Sequence, residues 1–208
     1  MEFMETVYAR RSVRRFASRP VPEAALADIL EAARHAPAPG GVNSCYFGII
    51  QRESTRRALA AVSGGQDWVA TAPVVLALCS KLGADPALRP ADDLGLTVNV
   101  DRFGQPLIDY LNAYPDRKAI RVYWDNANPL IPGEHAALAA ASHGLGACFI
   151  GHLDTARASE ILGLPDDMVC LFLLPIGYPD ETPADKVLRP MAECVFTDHW
   201  NDGATDRG

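Results

Sequence analysis

The chain has 208 residues, a formal net charge of −7, and 49% hydrophobic against 22% charged residues. That balance describes one globular domain with a buried core and excludes a disordered segment, while the acidic excess argues against nucleic acid as a partner. The longest apolar runs, 73–79 and 168–176, are too short to cross a bilayer, and the opening Met1-Glu2-Phe3-Met4-Glu5 is acidic where a signal peptide is cationic, so a cytoplasmic protein without a membrane partner is expected.

In chain order, the first informative segment is Arg10-Arg11-Ser12-Val13-Arg14-Arg15, a dense cationic spot in an acidic chain. Guanidinium is planar, permanently charged and matched to phosphate oxygens, so a cluster this local suits one small anion. The bland alternative is a solvated helix end. Pro22 and Glu23 then open a helix whose apolar face is Leu26, Ile29, Leu30 and Ala33, ended by the Pro37–Gly41 breaker cluster. The pattern predicts a strand at 47–51, a helix at 54–62 stopped by Gly64-Gly65, and a buried strand at 73–80.

From 81 to 128, prolines and glycines punctuate a stretch without a clear period, apart from a short helix expected near 107–112. So long an irregular stretch inside a compact domain is expected to be a lid over a site. The alanine-rich 132–142 reads as a closely packed helix, 147–150 as a short strand, and 155–162 as a helix capped by Asp154 or Thr155 and closed by Gly163. Residues 168–176 form the strongest strand, and a proline-punctuated tail ends in an extended piece at 194–197. Alternating short strands and helices with scattered connections predict a single α+β sandwich over 1–208.

Absent motifs narrow the chemistry. There is no G-x-x-x-x-G-K-[ST] loop, no G-x-G-x-x-G fingerprint and no G-x-S-x-G elbow. His135 and His143 stand about 12 Å apart along a helix, too far to share a metal, and no metal site is expected. The five cysteines show no C-x-x-C pair, and Cys79 and Cys170 lie in apolar runs as small reduced core residues. A chain without an obvious nucleophile or metal points to chemistry borrowed from a cofactor.

Four segments carry a resemblance. Residues 10–16 (RRSVRRF), 36–47 (APAPGGVNSCYF), 144–151 (GLGACFIG) and 175–179 (PIGYP, followed by Lys186 and Arg189) resemble, in order and spacing, the signatures of the FMN-dependent nitroreductase superfamily. The resemblance implies a central, mainly antiparallel sheet flanked by helices, a homodimer with an extended C-terminal tail, FMN as cofactor and NAD(P)H as co-substrate. It implies hydride passing through flavin N5 to a small electron-poor acceptor such as a nitroaromatic or quinone. A reductive dehalogenase, a flavin-cleaving enzyme or a flavin-binding protein without turnover are the alternatives, and an anion-binding module without flavin is the reading from a different class.

By that resemblance Arg10, Arg11 and Ser12 hold the phosphate and ribityl chain, with Lys186 and Arg189 completing the anion site. Arg14 and Asn43 lie against the ring, and the backbone at Ile150, Gly151 and His152 lies near N5; no side chain is itself assigned a catalytic step. Tyr110, Tyr114, Tyr123 and Trp124 are candidates for stacking on a planar substrate. The chain departs from the family at Cys45, where glutamine is usual. The thiol is a poor substitute for an amide there, and filler is the plainer reading beside a redox-active group.

Overall fold

The computed structural model describes residues 2–38, 45–81, 105–106, 109, 113 and 117–198, with side chains described outside 117–127. Its centre is a four-stranded antiparallel sheet of β1 (Cys45–Ile50), β2 (Val74–Lys81), β3 (Gly146–Ala147) and β4 (Met168–Gly177), in the order β1-β2-β4-β3. Around it lie α1 (Phe3–Ala9), α2 (Glu23–Arg34), α3 (Glu53–Ala61), α4 (Arg117–Ser142), α5 (Thr155–Leu162) and the single turn α6 (Met191–Cys194). Helices cover both faces of the sheet, as an α+β sandwich requires.

The alternation of β2 explains the two layers. Val74, Leu76 and Leu78 face a cluster built with Ala25, Ile29 and Ala33 of α2 and Ala136, Ala137 and Ala140 of α4. Val75, Ala77 and Cys79 face the opposite cluster, with Leu59 of α3, Ala158 of α5 and Leu173 of β4. A strand buried on both faces reads as one unbroken apolar run, which is why this segment was legible without alternation. The alanines of α4 let its backbone close on α2.

Three expected boundaries are corrected. Helix α4 starts at Arg117, not 132, and so takes in the end of the expected 81–128 excursion. Pro129 and Pro132 lie inside it; each lacks an amide hydrogen, yet the helix continues where packing holds it. The strand expected over 147–150 is reduced to Gly146–Ala147 plus an isolated bridge from Ile150 to Leu173. Opposite Cys148 stands Pro175, whose carbonyl accepts from the Cys148 amide at 3.3 Å but which has no N–H to return. The C-terminal piece expected to be extended from 194 begins instead as α6, with extended backbone only from Val195. Helix α1 was not anticipated. Most of 82–116 lies outside the described residues; of the helix expected near 107–112 only Asp109 is described, and it is helical.

Cys79 and Cys170 sit opposite each other on β2 and β4, both buried and without a disulfide, as expected of core thiols. No helix among the described residues is long and apolar enough to cross a membrane.

Candidate functional site

The arginine-rich segment leaves α1 and runs along the open edge of β3. Ser12 bridges Ala147 in parallel, the Val13 amide donates to the Ala147 carbonyl at 3.1 Å, and Phe16 bridges Pro179. Gly146 makes this approach possible: a β-carbon there would lie 2.4 Å from Val13 Cγ2. Sequence positions 10–19 and 177–186 are thereby drawn together at one end of the sheet.

Three cations converge there. Arg11 Nη1 donates to the Tyr8 carbonyl at 2.7 Å, and Lys186 Nζ donates to the Val7 carbonyl at 3.2 Å. Both carbonyls belong to the last turn of α1, where amide partners run out and the helix dipole favours positive charge. A capping role therefore accounts for part of their placement. It does not account for all of it, because the Lys186 ammonium is held below its ordinary pKa by burial and by the neighbouring charges of Arg10 and Arg11. Glu134 of α4 partly offsets this, 3.4 Å from Arg10, and Asp185 lies 3.5 Å from Arg11. An ammonium held down by neighbouring cations is relieved by an anion. Inorganic phosphate is expected to raise the thermal midpoint of the apo chain by several degrees more than chloride at matched ionic strength, measured by differential scanning fluorimetry.

Cys148 is buried behind this cluster, close enough to Ser12 for a side-chain hydrogen bond. Burial raises its pKa, with Arg14, Ser12 and Arg10 pulling the other way. On the opposite strip, the Glu181 carboxylate accepts from the Arg14 amide at 2.5 Å and the Arg15 amide at 3.1 Å. Its pKa is lowered, first by the Arg14 amide, then by the Arg15 amide and the two guanidinium charges. The carboxylate thus stays ionised, and the contact weakens only as pH falls through that lowered value. Nothing local in the sequence marks Glu181, Glu134 or Cys148, because each meets partners far away in the chain.

The other expected residues fall as follows. Ile150 exchanges both backbone hydrogen bonds with Leu173, so its amide is engaged. Gly151 and His152 are exposed, and among the described residues no backbone hydrogen bond uses their amides. The His152 ring lies flat against Gly64, where a β-carbon would come within 3.1 Å of three ring atoms; Gly64 is also left-handed at φ 66. The Gly64–Gln66 turn is thereby a neighbour of this region that the sequence reading missed. Cys45 starts β1 within the sheet, beside Cys79, and burial pushes its thiol up to about 12, which suits filler better than redox chemistry.

Arg189 begins the tail before α6, its carbonyl accepting weakly from Cys194 Sγ at 3.9 Å, and no contact joins its guanidinium to the cluster among the described residues. Asn43, Tyr110 and Tyr114 lie outside the described residues, as do the side chains of Tyr123 and Trp124, whose backbone is part of α4.

Comparison with known proteins bears on this arrangement. The sequence model of the Nitroreductase family matches residues 7–178. A Thermus thermophilus protein named NADH dehydrogenase is 33% identical over 190 residues, covering 90% of this chain and 91% of its own. A Vibrio harveyi protein named NADPH-flavin oxidoreductase is 25% identical over 201 residues, covering 96% of this chain and 75% of its own. The solved structure of a Vibrio harveyi NADPH:FMN oxidoreductase complexed with NAD+ superposes with a TM-score of 0.73 at 25% identity, covering 95% of this chain and 77% of the other.

Proposed function

The chain belongs to the nitroreductase family, and from that premise we propose that it is an FMN-dependent oxidoreductase drawing electrons from NAD(P)H and passing them to a small electron-poor acceptor such as a nitroaromatic or a quinone. The observation that carries the reading is the meeting of Arg10, Arg11 and Lys186, contributed from opposite ends of the sequence and paired only in part by Glu134 and Asp185. A phosphate monoester is the anion such a set suits, since several charged donors are matched to its near-dianionic oxygens. The residues present therefore fit FMN.

When bound, the flavin supplies the electron transfer at N5. The chain's residues hold and orient it. Arg10, Arg11, Ser12 and Lys186 would bind the phosphate and ribityl end, and Arg14 would place positive charge beside the ring's pyrimidine edge. A fixed cation there favours the reduced, more anionic form without reorganisation at the moment of transfer. The exposed Gly151 and His152 amides are the donors left for N5.

A homodimer belongs to the same proposal. The tail carries Val187 fully exposed, Leu188 and Met191 more than three-quarters exposed, and Val195 and Phe196 about half exposed; α1 adds Phe3 and Tyr8. Apolar surface on this scale, beside a β1 edge that also exposes Tyr46 and Ile49, suits coverage by a second copy.

The test is anaerobic stopped-flow on the purified protein with its mass in solution recorded by light scattering. The expected result is a yellow dimer whose flavin bleaches rapidly with NADH or NADPH and recovers its colour on adding a quinone. A protein that binds no FMN, or binds it and is not bleached by either nucleotide, overturns the assignment.

A further inference from the structure

We infer that Glu181 is a positioning residue for the flavin site, its carboxylate strapping the backbone of Arg14 and Arg15 so that the Arg14 guanidinium is presented in a fixed place. The inference rests on the flavin reading above and adds a residue to it.

The argument starts from the partners of the 12–19 strip. Upstream, Ser12 and Val13 pair with Ala147. Downstream, the Asp180 amide donates to the Arg15 carbonyl at 2.9 Å and the Ala17 amide to the Tyr178 carbonyl at 2.9 Å, with Arg19 stacked 3.9 Å over the Tyr178 ring. The chain therefore changes partners between Val13 and Arg15, from the edge of β3 to the loop after β4. At such a junction the amides of Arg14 and Arg15 have no strand to donate to. One oxygen of Glu181, Oε1, takes both.

Hydrogen bonds from amides to an ionised carboxylate are stronger than neutral ones, so a single side chain here substitutes for the missing ladder. The flanks are anchored independently. Losing the carboxylate thus frees residue 14 without detaching the strip, and the effect is local to the one guanidinium proposed to face the ring.

Glu181 also places a negative charge near Arg14, and that alone would work against the cation. The two roles predict opposite outcomes for an isosteric neutral residue. Glutamine keeps an acceptor oxygen at the same reach and removes the charge; alanine removes both.

The experiment compares wild type, Glu181→Ala and Glu181→Gln, each reconstituted with FMN, for flavin dissociation by fluorescence recovery, for the midpoint potential of the bound flavin and for thermal midpoint. Glu181→Ala is expected to weaken flavin retention about tenfold, the scale of one lost charge-assisted hydrogen bond, and to shift the bound-flavin potential to a more negative value. Glu181→Gln is expected to bring retention back to within about twofold of wild type and to leave the potential at the wild-type value, since the acceptor is kept. If Glu181→Ala lowers only the thermal midpoint and leaves retention and potential at wild-type values, the residue is merely structural and the inference fails while the flavin reading stands. If Glu181→Gln is as impaired as Glu181→Ala, an acceptor at that reach does not hold residue 14 in place, and the inference again fails; if it holds flavin more tightly than wild type at a more positive potential, the charge and not the strap is what matters, and the inference fails too. A wild-type protein that takes up no FMN removes the premise itself.

Discussion

Gly146→Ala is expected to cost about 1–3 kcal/mol of stability, the usual range for forcing extra volume into a packed site, and to yield a protein that purifies without its flavin colour. The added β-carbon would stand 2.4 Å from Cγ2 and 2.7 Å from Cβ of Val13. Val13 is 2% exposed, and its Cβ is attached directly to the backbone, so no rotamer change relieves the overlap. The strip must move off the sheet edge. That movement breaks the Val13-to-Ala147 hydrogen bond and the Ser12–Ala147 bridge, and Arg10, Arg11, Ser12 and Arg14 all ride on the same six residues. A packing error at a position with no polar atom is thus transmitted to the anion site. Urea denaturation reads the first effect and the visible absorbance of the purified protein the second. A variant as stable and as yellow as wild type would mean that this contact does not seat the strip.

How much of this was legible in the sequence follows from what each element buries. Helix α2 was readable because Leu26, Ile29 and Ala33 face the core at helical spacing, and β2 because both its faces are covered. Helix α1 was hidden for the inverse reason. Its large apolar residues, Phe3, Met4 and Tyr8, are the exposed ones, and only Thr6 is buried, so a pattern that reports burial within the chain has nothing to register. Its capping box, Glu2 with Glu5, was the local signal available. In α4, Pro129 reads as a breaker and Pro132 as the helix opening, although buried Asn128 and Pro129 show the helix already packed on the sheet before Pro132, with Asn128 Nδ2 3.4 Å from the Ser80 hydroxyl. Of the site, the cationic motif was conspicuous because guanidinium groups are rarely crowded without purpose. Glu181 was not, because its partners are backbone amides that every residue carries, 166 and 167 positions away. Side-chain chemistry is written in the sequence; a carboxylate that serves the main chain becomes visible only once the strip and the loop lie side by side.

Removing two of the converging cations should separate binding from stability. Arg10→Ala combined with Lys186→Ala is expected to weaken FMN retention by at least about a hundredfold, because each charge-assisted hydrogen bond to a phosphate contributes roughly 1.5–3 kcal/mol. The apo chain should behave differently. Lys186 contributes a cap to the Val7 carbonyl, which the substitution removes, but its ammonium is disfavoured by burial and by Arg10 and Arg11, and that repulsion is removed as well. Arg11 still caps the Tyr8 carbonyl. The two consequences oppose each other, so the apo thermal midpoint should stay close to wild type while stabilisation by added phosphate disappears. The decisive comparison is thus between two melts, with and without phosphate, alongside a flavin titration. If the double variant binds FMN as tightly as wild type, the cations serve α1 alone and the phosphate is held elsewhere. If it loses FMN together with most of its apo stability, the cluster is a structural joint whose damage removes the site indirectly. Loss of flavin and of the phosphate response on an intact apo fold is the result that assigns these side chains to the anion.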